Sequence, residues 1–249
     1  MRVAVPGFSG GDRTSLDLPA PQEHLLERIA ALGKPTVLVL LSGSAVAVTW
    51  AQEHVPAILE AWYPGQAGGT AIADVLFGTY NPGGRLPVTF YRDVADLPPF
   101  DDYRMAGRTY RFFAGAALYP FGYGLSYTTF RYDRLRISSD TLRGGDTVNV
   151  SVDITNTGVR GGDEVVQLYV RYPSSRVARP KRDLRGFRRV TLQPAETRTV
   201  TFPLAASALR YWDPVGHRWT IENVPVVVEA GASSADIRLS TTLVVTGQR

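Results

Sequence analysis

The stretch Thr147-Val-Asn-Val-Ser-Val-Asp-Ile-Thr155 alternates strictly between apolar and polar residues. Its apolar positions are Val148, Val150, Val152 and Ile154. An alternation with a period of two places these side chains on one face of an extended strand, as in a sheet that buries one face. Asn156-Thr-Gly158 follows as a turn signal. The stretch therefore predicts a strand of an antiparallel sheet, ended by this turn.

The same kind of pattern continues through the second half of the chain. Runs rich in β-branched and aromatic residues recur at residues 165–171, 197–202 and 224–229. Several short strands with turn signals between them are typical of two packed antiparallel sheets. We therefore predict an all-β sandwich of roughly seven strands in this half.

The first half alternates apolar runs with helical patterns. Pro35-Thr-Val-Leu-Val-Leu-Leu-Ser-Gly43 is a continuous apolar run, as expected for a strand buried on both faces of a parallel sheet. Further strands are predicted at residues 57–63 and 86–91, and helices at residues 21–32 and 70–77. Pro87 weakens the strand at 86–91 because proline cannot donate to a ladder. The alternation predicts an α/β fold with a mostly parallel sheet.

The net charge also differs between the two halves of the chain. Residues 1–118 carry 9 Lys and Arg against 11 Asp and Glu, a net charge of −2, whereas residues 119–249 carry 18 against 12, a net charge of +6. Residues 93–107 predict a long loop, and for the aromatic and glycine-rich residues 119–130 a packed connector is favoured over a ligand site. We predict an α/β domain over 1–118, a connector over 119–132 and a β-sandwich over 133–249.

Composition excludes several classes of chemistry. The 249 residues contain no cysteine and three histidines without a local ligand spacing, so neither a metal site nor a cofactor is expected. No apolar run is long enough to span a membrane, and no membrane partner is expected. The first residues lack the apolar core of a signal peptide, which leaves the compartment unassigned and cytoplasmic by default.

Several motifs together resemble one family. Trp62-Tyr-Pro-Gly-Gln-Ala-Gly-Gly-Thr-Ala-Ile-Ala-Asp-Val-Leu-Phe-Gly-Thr-Tyr-Asn-Pro-Gly-Gly-Arg-Leu-Pro87 is similar to the signature of the second domain of family 3 β-glucosidases and β-xylosidases. Other matching segments are Asp12–Pro19 with Gln22, Tyr110-Arg111, Pro120–Phe130, Asn156–Gly158, Glu164–Tyr169, Leu184–Phe187 and Gly231–Ser234. Because the match is collinear over nearly the whole chain, the chain resembles the C-terminal portion of a family 3 glycoside hydrolase with a fibronectin type III-like domain.

This resemblance implies a fold and an activity. The fold is part of a three-layer α/β sandwich followed by an immunoglobulin- or fibronectin-III-like sandwich. In the family, a (β/α)₈ barrel of about 250 residues supplies an aspartate nucleophile, and a glutamate of the α/β domain is commonly the acid/base. Val5-Pro-Gly-Phe-Ser-Gly-Gly11, just before Asp12-Arg13, contains no glutamate. We therefore predict no catalytic residue in this chain and expect it to be inactive alone.

A few residues are candidates for contact with a sugar. Asp12 and Arg13 could line the rim of a sugar pocket, because both side chains can bond hydroxyl groups, but an Asp-Arg turn that caps the element beginning near Ser15 is favoured over this role. Glu53 and Glu60 are the other carboxylates considered, and solvated or locally paired roles are favoured for them. Trp50 and Trp62 could stack on a sugar ring, but core packing is the commoner role for tryptophan.

A basic cluster lies in the second half of the chain. Its members are Arg176, Arg179, Lys181, Arg182, Arg185, Arg188 and Arg189. Such clusters can bind nucleic acid, but the chain uses 25 arginines against two lysines, so arginine is common throughout and no nucleic-acid partner is expected.

Two functions from different classes follow from these observations. The first is the distal part of a retaining β-glycosidase, which acts on a β-linked glucoside or xyloside once a barrel completes it, from the same or a separate chain. The second is a stand-alone, non-catalytic module that binds carbohydrate or protein.

Overall fold

The computed structural model describes residues 8, 9 and 12–247, and it divides into two compact units. The first unit comprises the described residues up to Tyr80 together with Val88–Thr109 and Phe113–Pro120. The second comprises Asn81–Pro87, Tyr110–Phe112 and the described residues from Phe121 onwards. Two short segments of the first half of the sequence thus fold with the second unit.

The first unit contains short strands and helices in alternation. Its elements are β1 (Phe8–Ser9), β2 (Asp12–Arg13), α1 (Ala20–Ala30), β3 (Val37–Leu40), α2 (Thr49–His54), β4 (Ala57–Glu60) and α3 (Gly68–Leu76). Strands β1 and β2 form an antiparallel pair, and β3 and β4 form a parallel pair in which Val37 lies opposite Ala57. This strand–helix–strand order is the α/β arrangement predicted from the sequence.

The predicted strand at residues 86–91 is not formed. Within this segment, Phe90 makes a single antiparallel bridge to Tyr119, and Leu86 donates its N–H to the carbonyl of Tyr123. Pro87 has no N–H, so the segment cannot continue a ladder. The predicted loop at 93–107 is irregular apart from one turn of 3₁₀-helix at Val94–Asp96, and α4 (Thr109–Phe112) follows it.

Helix α1 exposes most of its apolar stripe. Proline lies in its first turn, where the missing N–H is not needed by the helix. Leu26 is its buried side chain, while Leu25, Ile29 and Leu32 are exposed to solvent. The stripe that predicted this helix is therefore only partly used for packing among the described residues.

The second unit is a β-sandwich. Its strands are β5 (Phe130–Ile137), β6 (Thr141–Arg143), β7 (Thr147–Asn156), β8 (Gly162–Arg171), β9 (Asp183–Leu192), β10 (Thr197–Ala205), β11 (Tyr211–Asp213), β12 (Arg218–Thr220), β13 (Pro225–Gly231) and β14 (Ile237–Thr246). One sheet has the order β10-β7-β5 and the other the order β6-β14-β13-β8-β9, while β11 and β12 form a separate hairpin. Within this unit, all described ladders are antiparallel except that of β6 with β14.

The alternation in β7 produces the core of this sandwich. Its four apolar side chains, Val148, Val150, Val152 and Ile154, are at most 3% exposed. They join one continuous apolar cluster with residues of the facing sheet, including Val166, Leu168 and Val228. The sequence prediction of an antiparallel sandwich is confirmed. Among the described residues, no helix is both long and apolar enough to cross a membrane.

Candidate functional site

A polar cluster lies where the two parallel strands of the first unit end. Ser42 lies just beyond the end of β3, and Glu60 is the last residue of β4. The Ser42 hydroxyl donates to Glu60 Oε2 at 3.3 Å. Ligands of open α/β sheets bind beyond the carboxyl ends of the strands, so this edge is the expected place for a site. We call Arg13, Ser42, Ser44, Glu60 and Trp62 the strand-end site.

Glu60 is a half-buried carboxyl group with local partners. Burial raises the pKa of Glu60 above its ordinary value of 4.5, while hydrogen bonds from the Trp62 N–H and the Ser42 hydroxyl act in the opposite direction. The Trp62 N–H donates to Glu60 Oε1 at 2.9 Å. The carboxyl group therefore has a local structural role, as the sequence favoured, and it retains the capacity to bond a hydroxyl group.

Trp62 has an unusual backbone conformation. Its φ angle of 52° lies in the left-handed region, which is rare for a bulky residue and is found most often at functional sites. Its ring packs edge-on against Phe90, with the ring centroids 6.2 Å apart, and Phe90 is 1% exposed. The ring of Trp62 thus contributes to the core of the first unit, and its N–H fixes the carboxyl group of Glu60.

Arg13 is held by its own loop. Its guanidinium donates to the carbonyl oxygens of Leu16 at 2.7 Å and Asp17 at 3.1 Å, and more weakly to the Ser44 hydroxyl at 3.4 Å. Residues 13–17 are therefore joined to the segment that follows β3. The backbone of Asp12 lies in β2, but its side chain lies outside the described residues, so the prediction for Asp12 stays a prediction.

Tyr63 is a member of the same edge that the sequence did not single out. Its ring is 77% exposed. A Cβ atom at Gly43 would lie 2.7 Å from Tyr63 Cε2, so a larger residue at position 43 would require this ring to move. Ser42 and Ser44 were missed as well. The signal that could have found them is the run of small residues that ends the predicted β3 strand.

The remaining candidates have local roles. The ring of Trp50 stacks on His54 of the same helix at a centroid distance of 4.5 Å, and Glu53 is exposed on α2. Over residues 12–247, no group of three or more histidine and acidic side chains is arranged to hold a metal ion.

Much of the basic cluster is neutralised within the second unit. Four of its arginines form ion pairs: Arg179 with Glu222, Arg182 with Glu229, Arg185 with Asp183 and Arg189 with Asp163. Charges paired in this way are less available to phosphate groups than free ones.

Comparison with known proteins assigns both halves of the chain. Residues 4–127 match the glycosyl hydrolase family 3 C-terminal domain, and residues 164–234 match the fibronectin type III-like domain. The chain therefore belongs to family 3 of the glycoside hydrolases and is similar to the C-terminal portion of its members. The predicted family and fold class are confirmed.

Curated relatives that match this chain are much longer than the matched region. Xylan 1,4-beta-xylosidase of Xylanibacter ruminicola is 45% identical over 236 residues, which are 95% of this chain and 27% of that protein. Periplasmic beta-glucosidase of Salmonella typhimurium is 42% identical over 229 residues, with 85% of this chain and 30% of that protein covered. The chain thus spans about a third or less of the length of these relatives.

Solved structures agree with this assignment. A β-glucosidase of Erythrobacter marinus gives a TM-score of 0.85 at 40% identity, covering 98% of this chain and 32% of that one. Beta-D-glucoside glucohydrolase of Trichoderma reesei gives a TM-score of 0.87 at 32% identity, covering 95% of this chain and 37% of that one. The similarity extends through both units.

Proposed function

We propose that this chain is the distal part of a retaining β-glycosidase that hydrolyses β-glucosides or β-xylosides. The observation that carries the proposal is the collinear similarity of 45% and 42% identity to relatives named xylan 1,4-beta-xylosidase and periplasmic beta-glucosidase. These residues correspond to less than a third of such proteins. A (β/α)₈ barrel of about 250 residues, on the same or a separate polypeptide, supplies the remaining chemistry.

The chemistry requires two carboxyl groups about 5 Å apart. One attacks the anomeric carbon while the other protonates the departing oxygen, and water then hydrolyses the glycosyl intermediate. We place the nucleophile in the barrel and assign no catalytic role to Glu60, because its carboxyl group already accepts the Trp62 N–H. The described residues act on the sugar through hydrogen bonds.

Asp12 and Arg13 are the residues that we propose to contact the sugar. One terminal nitrogen of the Arg13 guanidinium donates to two backbone carbonyl oxygens. The other terminal nitrogen donates to the Ser44 hydroxyl group at 3.4 Å. The bond to Ser44 is long, so a sugar hydroxyl group could replace it at little cost. The fixed guanidinium supports a role as a directional donor at the rim of a sugar pocket.

The test is to complete the enzyme. The chain is fused behind the barrel of the Xylanibacter relative, and hydrolysis of aryl β-xyloside and aryl β-glucoside is measured. We expect the fusion to be active, the chain alone to be inactive, and Arg13→Ala to raise the KM of the fusion at least tenfold. Arg28→Ala, which changes a basic residue in the last turn of α1, is the control and should leave KM unchanged.

Two outcomes decide against the proposal. Hydrolysis by the chain alone would contradict its dependence on a barrel. A folded fusion that cleaves neither substrate would favour the second candidate function, a non-catalytic carbohydrate-binding or protein-binding module. That candidate has support of its own in the exposed aromatic side chains of the second unit.

A further inference from the structure

The β11–β12 hairpin of the sandwich exposes two indole rings side by side. Trp212 and Trp219 lie directly opposite each other in the hairpin register. Their side chains leave 49% and 59% of the residue surface exposed, and the ring centroids are 5.8 Å apart with the planes at 73°. Tryptophan is rarely left this open to water, and exposed apolar surface of this kind marks binding sites.

A hydrogen-bond donor lies over one of the two rings. The guanidinium of Arg210 lies over Trp219, 5.4 Å from the ring centroid. Arg218 neighbours Trp219 in β12, so its side chain points to the other face of the hairpin, where it lies opposite Asp213 of β11. Within residues 12–247, Arg210 forms no ion pair with a carboxylate, and it is exposed. The surface thus combines the apolar area of two indoles with a donor that has no carboxylate partner.

Stability of the hairpin explains only part of this arrangement. Cross-strand aromatic pairs stabilise antiparallel strands by a modest amount. Phenylalanine or tyrosine would provide the same pairing with less exposed apolar area.

We propose that the surface formed by Arg210, Trp212 and Trp219 binds a chain of β-linked sugars. A pyranose ring presents apolar C–H faces that match an indole, and hydroxyl groups at its edge that accept hydrogen bonds from guanidinium groups. Arg210 places one positive charge beside the rings, which is too small a charge for a polyanion and is suited to an uncharged polar ligand. The choice of β-linked sugars rests on the proposed function. The surface would hold polysaccharide while a remote site cleaves it.

The experiment measures binding by the full 249-residue chain, without a barrel. Titration calorimetry with xylohexaose and with cellohexaose is followed in parallel by tryptophan fluorescence. We expect millimolar or tighter binding of at least one oligosaccharide and at least a tenfold loss of affinity in Trp219→Ala and in Trp212→Ala. Phe187→Ala is the matched control, because Phe187 is an aromatic residue of the same unit that is 68% exposed on β9. It should bind as the parent chain does.

A second variant separates binding from folding. Trp212→Phe combined with Trp219→Phe keeps an aromatic pair across the hairpin, so the thermal midpoint should stay unchanged while affinity falls several-fold. The proposal is overturned if the parent chain binds neither oligosaccharide, or if Trp219→Ala and Trp212→Ala bind as tightly as the parent. Because the assay needs no hydrolysis, failure here is distinct from failure of the proposed activity.

Discussion

The guanidinium of Arg85 lies 3.4 Å from Glu164 Oε1, and the two side chains are only 8% and 5% exposed. Both residues belong to the second unit although 79 positions separate them in the chain. Burial raises the pKa of Glu164, while the charge of Arg85 and the hydrogen bond from the Val165 N–H act in the opposite direction. The pair joins residues 81–87 to strand β8.

Removing one partner of this pair should destabilise the second unit. Arg85→Met leaves a buried carboxyl group without its counter-charge, and we expect a loss of about 3–5 kcal/mol in the free energy of unfolding. Urea denaturation followed by the fluorescence of Trp212 and Trp219, in a background that carries Trp50→Phe and Trp62→Phe, measures it. Arg198→Met is the control, since its ion pair with Glu196 is exposed and should contribute less than about 1 kcal/mol. Equal effects of the two substitutions would contradict the prediction.

A fragment of the sandwich should be stable only if it keeps the upstream segment. Gly83 lies so close to Asp163 that a Cβ atom there would be 2.8 Å from the aspartate Cβ, and Asn81 donates to the carbonyl oxygen of Gly161 at 3.0 Å. We expect residues 79–249 to melt cooperatively at a clearly higher temperature than residues 121–249. Circular dichroism compares the two fragments. Identical melting temperatures would show that residues 81–87 add nothing to the sandwich.

Asp153 should make the sandwich sensitive to acid. Its carboxylate is 2% exposed and accepts hydrogen bonds from Arg136, Arg134 and Thr199. These hydrogen bonds lower the pKa of Asp153 from 3.8 to about 2, and the bond from Arg136 contributes most. The unfolded chain therefore takes up a proton first, and stability present above about pH 4 is lost as the pH falls towards about 2.

The substitution Asp153→Asn isolates this effect. We expect it to lower the free energy of unfolding by roughly 2 kcal/mol at pH 7 and to have a much smaller effect near pH 2, where about half of the parent carboxyl groups are protonated. Urea titrations at several pH values between 7 and 2 measure the difference. Asp236→Asn, which removes an exposed carboxylate paired with Arg238, is the control. A difference that stays constant with pH would contradict the assignment.

Glu60 should make the stability of the first unit depend on pH in the direction opposite to that expected for Asp153. Because burial raises the pKa of Glu60 above 4.5, the stability that its neutral form contributes is lost as the pH rises through the raised value. Glu60→Gln keeps an oxygen acceptor for the Trp62 N–H and carries no charge. We expect it to be more stable than the parent at pH 7, with the difference shrinking towards pH 4.

The fluorescence of Trp50 and Trp62 reports on this unit in a variant that lacks the other two tryptophans, such as Trp212→Phe with Trp219→Phe. Glu53→Gln is the matched control, since Glu53 is an exposed carboxylate on α2 of the same unit. A loss of stability in Glu60→Gln at pH 7 would show that the ionised carboxylate is needed where it lies.

The elements that followed from the sequence are those with a strong local pattern. The period of two in residues 147–155 depends only on neighbouring side chains, and β7 formed with its four apolar residues buried. The continuous apolar run at 35–43 produced β3, although the strand is limited to Val37–Leu40 and only Leu40 of these four residues is buried, not both faces as the run predicted. The segment at 86–91 failed because Pro87 cannot take part in a ladder, a weakness already present in its composition.

The site was predicted less completely than the fold. Arg13 belongs to the strand-end site, but the family motif could not reveal that its guanidinium is held by the carbonyl oxygens of Leu16 and Asp17. Ser42 and Glu60 carry no motif of their own. They become neighbours only because the parallel pairing of β3 and β4 brings two strand ends to one edge.

The sequence by itself determined the family, the order of the two kinds of fold and the core faces of the main strands, because these depend on collinear motifs and on local periodicity. Only the tertiary structure decided which distant residues meet. Arg85 folds with Glu164 across 79 positions, and residues 81–87 join the sandwich rather than the α/β unit that precedes and follows them. The physical reason is that a buried charge must find its partner wherever the packed chain provides one, and no local pattern records that choice.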